Sequence, residues 1–398
     1  MEFDFETLVE RSGANLKLMM TPPEVVKAGN ISLDGAEPDF KSAPVIEEAV
    51  IRFAKNGLYG FTLPDEAYKS AVTKWMQMSR KTQIKPEWIV TTLGTIYSLA
   101  TTIRLVCTDP DDGIIVTTPV YNRYRQAADR LNKKTVECPL LYDSVNGSYQ
   151  MNFDAIKSAM ANPNNKLFVL CNPHNPVGRV WTKEELETIG DICYRHHVIV
   201  VSDEIHADFA FQGKHQVFAN LKKEYEEMTI ACTSPSKTFN LAGLQTSNIF
   251  IPNQKLKNAF KKQLAAAGYS QLNAAGLVAC EAAYRDGEEW YQAMKKYVAG
   301  NIAFTKEFVE KNLPGVNMVE HEGTYLIWLD FNGLGLCAQE LEDLIVHKAK
   351  LWLDSGRIFG KCGRGFQRIN VACPRSTLKE ALERIAKVLP ADTVKFAS

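Results

Sequence analysis

The 398-residue chain reads as an α/β protein built on a largely parallel sheet wrapped by helices. Between about residues 85 and 255, short apolar or β-branched runs alternate with helical patterns, the signature of such a sheet. One of these runs, 198–202, is apolar without a break until Ser202, as expected of a strand covered on both faces. Polar motifs follow directly after several of the runs, where open α/β sheets bind their ligands.

Taken in order, the first 45 residues carry Pro22, Pro23, Pro38 and Pro44 with little periodicity and read as an arm packed across domains. Strands are expected over 88–91, 113–118, 166–171, 198–202, 229–233 and 248–251. Past residue 255 the pattern turns helical, through KLKNAFKKQLAAAG and EEWYQAMKKYVAGNIAFTKEFVEKNL. Short strands near 324–330 and 366–372 then complete a second, α+β domain. The division expected is an arm with part of the small domain over 1–45, a large domain over 46–285 and a small domain over 286–398.

Forty-six basic residues balance 46 acidic ones, so no long-range field draws the chain to nucleic acid or an anionic membrane. The expected partner is a small molecule. The opening MEFDFETLVER is acidic and amphipathic, unlike a secretory leader, and no apolar stretch approaches the roughly 18 residues of a membrane span. Nine cysteines, odd in number and never spaced as C-x-x-C, fit a reducing cytoplasm and no structural zinc.

The motifs after the strands carry chemistry. In SPSKTFNLAGL, Lys237 lies just beyond an apolar run among small hydroxyl residues, a setting that lowers a lysine pKa when a cation and apolar groups are near. In VIVVSDEIHADF, Asp203 ends a buried strand, where a carboxylate is costly without a cationic partner. A protonated pyridine ring would be such a partner. Two other readings of that segment stay open: Asp203 as a helix cap, or Asp203, His206 and Asp208 as metal ligands.

LCNPHNPVGR fixes a rigid loop that presents the Asn175 amide, and TPVY offers Tyr121 as a ring to stack on a planar group. TTLGTIYSLATTI runs from a strand through Gly94 into a helix, so the amides of Gly94, Thr95 and Ile96 can cradle a phosphate. GFQRINVACPR sets Arg368 in a short strand, where a guanidinium grips a carboxylate with two hydrogen bonds. The glycines at 360, 363 and 365 precede a strand rather than a helix and make no nucleotide loop. A Schiff-base lysine, a partner for a ring nitrogen and donors for a phosphate are together what pyridoxal 5'-phosphate (PLP) requires.

In order, CNPHNPVGRVWTKEEL, VVSDEIHADF, SPSKTFNLAGLQTSN, EGTYLIWLDF and GFQRINVACPRS resemble the fold-type I PLP enzymes of the class I/II aminotransferase superfamily. Within it they are most similar to cystalysin-like carbon–sulfur β-lyases, also called cystathionine β-lyases. The resemblance runs from about Phe40 to the C-terminus. It implies Lys237 as the Schiff-base lysine, Asp203 as partner of the pyridine nitrogen, and Asn175 on the 3'-oxygen and at the substrate. It also implies Tyr121 stacked on the ring and His206 as a second 3'-oxygen contact. Gly94, Thr95, Ile96, Ser234 and Ser236 match phosphate positions, while Arg368 and the Gly35–Ala36 backbone match the substrate-carboxylate site. A cytoplasmic homodimer with shared active sites is further implied. The activity implied is cleavage of cystathionine- or cysteine-type substrates to thiol, pyruvate and ammonia, with transamination as the alternative.

Four departures limit what the resemblance implies. Phe61 replaces a tyrosine that reaches the neighbouring subunit's phosphate, with Tyr59 two residues earlier as the candidate substitute. Gln245 stands where many aminotransferases have a phosphate arginine, and Asn122 where lyases have a second tyrosine, for which Tyr124 is the candidate replacement. ISLDGAEPDF resembles the aminotransferase start rather than the lyase one. Two other classes fit less well. Ser234-Pro-Ser-Lys237 matches the S-x-x-K of serine acyl-transfer enzymes without their companion motifs, and a DNA-binding regulator would need a basic segment the chain lacks.

Overall fold

The computed structural model describes residues 3–389 apart from 12 and 14. At its centre lies a sheet of β1 (Ile89–Thr92), β2 (Gly113–Thr118), β3 (Lys134–Pro139), β4 (Asn165–Cys171), β5 (Ile199–Asp203), β6 (Thr229–Thr233) and β7 (Ser247–Phe250). Its order is β1-β7-β6-β5-β4-β2-β3. Strands β2 to β6 pair in parallel, and β7 runs antiparallel to both β1 and β6. The α/β expectation is met, and the six expected strands appear with ends shifted by a residue or so. The edge strand β3 was not anticipated.

Helices α1 (Thr95–Val106), α2 (Lys183–Arg195) and α3 (Gln254–Ala266) cover the sheet on both sides. Ile114, Val116, Leu167, Val169 and Val201 pack with Leu99 and Ile103 of α1 and with Phe260 and Leu264 of α3. Ile115, Phe168, Leu170 and Val200 instead join Leu186 and Ile189 of α2. Adjacent residues of one strand thus serve opposite faces, as the two-residue period dictates. Every residue of β2, β6 and β7 is buried. Helix α2 starts in a capping box, in which Thr182 accepts from the Glu185 amide and Glu185 from the Thr182 amide.

A second, antiparallel sheet is formed by β8 (Asn317–Met318), β9 (Leu326–Asp330), β10 (Asp354–Ser355) and β11 (Phe366–Asn370), in the order β8-β9-β11-β10. Arg368 on β11 lies opposite Asp354 on β10. The N-terminal segment docks here, because Ile31–Ser32 pairs in parallel with Leu351–Trp352 and the Phe5 ring packs on Phe40, Trp290 and Tyr297. No helix among the described residues is long and apolar enough to cross a membrane.

This topology decides where chemistry collects. Thr118, Cys171, Asp203 and Thr233 are the last residues of β2, β4, β5 and β6. The loops that follow them open at one edge of the sheet, facing the second sheet and the N-terminal segment.

Candidate active site

That edge encloses a cavity of about 740 Å³. Gly94, Thr95 and Ile96 reach it from the start of α1, Tyr121 from the loop after β2, and Asn175 from the loop after β4. Asp203, His206, Ser236 and Lys237 come from the ends of β5 and β6. Gly35, Ala36 and Arg368 close it from the other side.

Asp203, the last residue of β5, is buried at 5% exposure. Burial raises its pKa to about 6, opposed by the Tyr124 hydroxyl, which donates to Oδ2 at 2.8 Å, and by the Ile205 N–H, which donates to Oδ1 at 3.2 Å. The cap reading therefore holds for one oxygen. The metal reading does not: the Asp208 carboxylate accepts from Trp75 Nε1, Thr238 Oγ1 and Arg80 Nε, away from Asp203.

Lys237 Nζ donates to the Ala36 carbonyl at 2.8 Å. Burial pushes its pKa down to about 8, opposed by Glu37 and Asp203 and aided by Arg368. An amine so shifted sheds its proton near neutral pH, as imine formation demands. The hydrolase alternative fails on geometry, since Ser234 Oγ bonds Ser236 Oγ and the Thr246 carbonyl and Lys237 points its bond to Ala36.

Arg368 is anchored on both sides. Nη1 donates to Asn175 Oδ1 at 2.7 Å, Nε and Nη2 donate to Asp354 Oδ2, and the guanidinium lies 4.7 Å from the Phe359 ring centre. Asp354 Oδ2 also accepts from the Gly35 N–H at 2.8 Å, which ties the N-terminal segment to the guanidinium. The buried His206 is neutral, because burial, Lys237 and Arg368 all hold its pKa well below 6.5. Its Nδ1 is buried and has no hydrogen-bond partner among the described residues.

At the other end, Gly94 caps α1, whose first N–H groups have no partner within the helix. Ser234 is buried behind Ser236 and does not line the cavity. Gln245 lines it, with Nε2 turned to the Ala242 carbonyl at 2.9 Å. Tyr59 stands outside, 68% exposed, with its hydroxyl donating to the Ala54 carbonyl. Tyr124 is buried with its hydroxyl committed to Asp203, which removes it as a substitute for the tyrosine missing at Asn122. The sequence patterns gave no role to Asp354 or to this Tyr124 contact.

Fold and site together are those of a fold-type I PLP-dependent enzyme. The chain belongs to the aminotransferase class I and II family, whose model matches residues 28–385. It is 37% identical to the cystathionine beta-lyase PatB of Bacillus subtilis, over 89% of this chain and 91% of that one. Its structure resembles that of Treponema denticola cystalysin, which contains PLP, with a TM-score of 0.93 and 37% identity over 98% and 99% of the two chains. The PLP-bound C-S lyase of Staphylococcus hominis matches with a TM-score of 0.89 and 30% identity over 98% of each chain.

The residues present fit PLP. A buried carboxylate that among the described residues is in no ion pair, a buried imidazole nitrogen with no hydrogen-bond partner among them and open space beside Gly94 are each what that cofactor would complete.

Proposed function

We propose that the chain is a PLP-dependent carbon–sulfur β-lyase that converts cystathionine- or cysteine-type amino acids to thiol, pyruvate and ammonia. The observation that carries this reading is the meeting of Lys237, Asp203 and Arg368 at one cavity, with the Lys237 pKa lowered to about 8. PLP, when bound, supplies an electron sink for charge that develops at the substrate Cα.

Asp203 would hold a proton on the ring nitrogen, Asn175 and neutral His206 would meet the 3'-oxygen, and Tyr121 would lie against the ring. Gly94, Thr95, Ile96 and Ser236 would take the phosphate, with Ser234 supporting Ser236 from behind. Since Gln245 is neutral, this end would bind through dipoles and hydroxyls rather than a guanidinium. Arg368, held by Asp354 and Asn175, would orient the substrate carboxylate together with the Gly35–Ala36 backbone. Lys237 Nζ would then take the Cα proton, and the Cβ thiolate would leave.

Support for cleavage over transamination comes from the lyases to which the chain is similar. The rival, an aminotransferase, is favoured by the segment 31–40 and by Asn122. We further propose a cytoplasmic homodimer, divided into an arm over 1–45 and domains over 46–285 and 286–398.

Incubating the PLP-loaded protein with cystathionine, without any keto acid, tests the reaction. Equal release of pyruvate and free thiol is expected; a cofactor absorbance band without release would transfer the assignment to an aminotransferase. Lys237→Ala should abolish both release and the protein–cofactor bond trapped by borohydride. A trapped bond elsewhere in that variant, located by mass spectrometry, would remove Lys237 from its role.

A further inference from the structure

One buried hydroxyl beside the cavity has no part in the reaction just described. Tyr325, immediately before β9, is 0% exposed and does not line the cavity. Its hydroxyl nonetheless donates at 2.8 Å to the Ala36 carbonyl, the same oxygen that accepts from Lys237 Nζ at 2.8 Å. A carbonyl oxygen has two lone pairs, so these two donors fill it. The Tyr325 ring stands edge-on to Phe209, with 4.8 Å between ring centres, and to His206, with 5.9 Å. Burial holds its pKa well above 10, so the hydroxyl keeps its proton and remains a donor.

Both partners of this contact are fixed. Thr324, just before Tyr325, has a φ of +73°, a left-handed conformation that a β-branched residue rarely adopts. Its N–H donates to the Phe209 carbonyl at 2.9 Å, its carbonyl accepts from His321 Nε2 at 3.0 Å, and its Oγ1 accepts from the Leu326 N–H at 3.0 Å. Strained backbone persists only where its surroundings over-determine it, and it gathers at functional sites. On the acceptor side, the Gly35 N–H is held by Asp354 at 2.8 Å and the Glu37 carbonyl by Asn370 Nδ2 at 2.7 Å. The Ala36 carbonyl between them is not free to swing toward another donor.

We propose that Tyr325 is a positioning residue for Lys237 that acts through the Ala36 carbonyl. It keeps that oxygen paired when the amine leaves to bond PLP, and holds it in place as the acceptor to which the freed amine returns. This inference rests on the reading of Lys237 as the Schiff-base lysine and deepens it. Without the hydroxyl, each departure of Lys237 would strand a buried carbonyl, and a buried acceptor without a donor bears the full cost of its desolvation. The free amine would then be favoured over the protein–cofactor bond. The hydroxyl also shares the oxygen with the amine, which weakens the oxygen's pull on the ammonium form and favours a neutral Lys237.

Tyr325→Phe keeps the ring and removes only the hydroxyl. Borohydride should first trap PLP on Lys237 in the parent protein; PLP trapped elsewhere would remove the lysine reading and this one with it, whereas the remaining outcomes bear on Tyr325 alone. The PLP Kd, read from the cofactor absorbance as cofactor-free protein is titrated, should rise about 10-fold or more in the variant, the scale of a stranded buried acceptor. Without cofactor, Lys237 can meet Ala36 in both proteins, and the charged groups that face it, Glu37, Asp203 and Arg368, are the same. Competitive labelling of the cofactor-free proteins with acetic anhydride, quantified on the Lys237 peptide, should then give a pH profile displaced upward by about half a unit or more in the variant. The urea midpoint of the cofactor-free variant should stay near the parent's. A lowered midpoint without a lifted Lys237 profile would mark the hydroxyl as structural only and overturn the proposal, as would an unchanged PLP Kd.

Discussion

At Asp203 burial and hydrogen bonding pull the pKa in opposite directions, and burial wins, leaving the cofactor-free carboxyl near 6 against 3.8 for an ordinary aspartate. Between those values the folded chain binds more protons than the unfolded one, so this group's contribution to stability falls as pH rises through that window. Above it the loss persists. Asp203→Asn does not titrate, so the cofactor-free variant should gain on the parent by roughly 2–3 kcal/mol at neutral pH and by little near pH 4. Urea unfolding at several pH values measures this; a gain that does not depend on pH would mean Asp203 is not the group that titrates. The same variant should bind PLP more weakly, having lost the negative charge that faces the ring nitrogen. Asp203, Lys237 and Arg368 were legible in the sequence because each follows or lies in an apolar strand within a dense motif. Tyr124 and Asp354 were not, because their roles rest on contacts made 79 and 14 residues away in the chain.

At the scale of elements, the catalytic loops are held by a buried polar knot beneath them. Asp208 accepts from Trp75 Nε1 at 3.2 Å, Thr238 Oγ1 at 2.6 Å and Arg80 Nε at 3.4 Å. Glu204 accepts from Ser202 Oγ at 2.9 Å and pairs with His215 at 3.1 Å and Arg80 at 3.5 Å. The knot joins the helix Glu66–Arg80, the end of β5 and the residue after Lys237, so it fixes the spacing of Asp203 and Lys237 through the backbone. Asp208→Ala would leave three donors short of a partner and Arg80 with less compensating charge. A loss of about 3–5 kcal/mol in urea unfolding is expected, as for other broken buried ion pairs. A loss under about 1 kcal/mol would show that the knot is incidental to stability. The apolar run that became β5 announced itself as a covered strand. Strand β3, KTVECP, did not, because an edge strand mixes charged and apolar residues and only Cys138 in it is buried. The reversed direction of β7 was equally hidden, since strand polarity in a sheet is set by the connections rather than by composition.

For the whole molecule, the feature left unexplained within one chain is the strip between the helices Pro44–Asn56 and Glu66–Arg80. Leu58, Tyr59, Phe61 and Leu63 are exposed there at 73%, 68%, 95% and 70%. Nothing in the residue types of LYGFTL distinguishes an exposed apolar segment from a buried one, so its exposure was not legible in the sequence; the family resemblance alone pointed to a neighbouring subunit at this place. Contiguous apolar exposure of this kind marks a contact surface. Tyr59 is already engaged, its ring 5.5 Å from Phe53 and its hydroxyl on the Ala54 carbonyl, whereas Phe61 has no such contact among the described residues. In the proposed homodimer, Phe61 would therefore contribute packing rather than the hydroxyl its replaced tyrosine carries. Putting a charge at its centre should cost the association far more than the fold, because Phe61 contributes almost nothing buried to its own chain. Phe61→Asp is expected to raise the dimer Kd about 10-fold or more, the cost of desolvating an unpaired carboxylate, with urea unfolding of the monomer unchanged. Sedimentation equilibrium measures the first quantity. A variant that sediments like the parent at every concentration would move the subunit contact elsewhere on the surface and leave this strip to another partner.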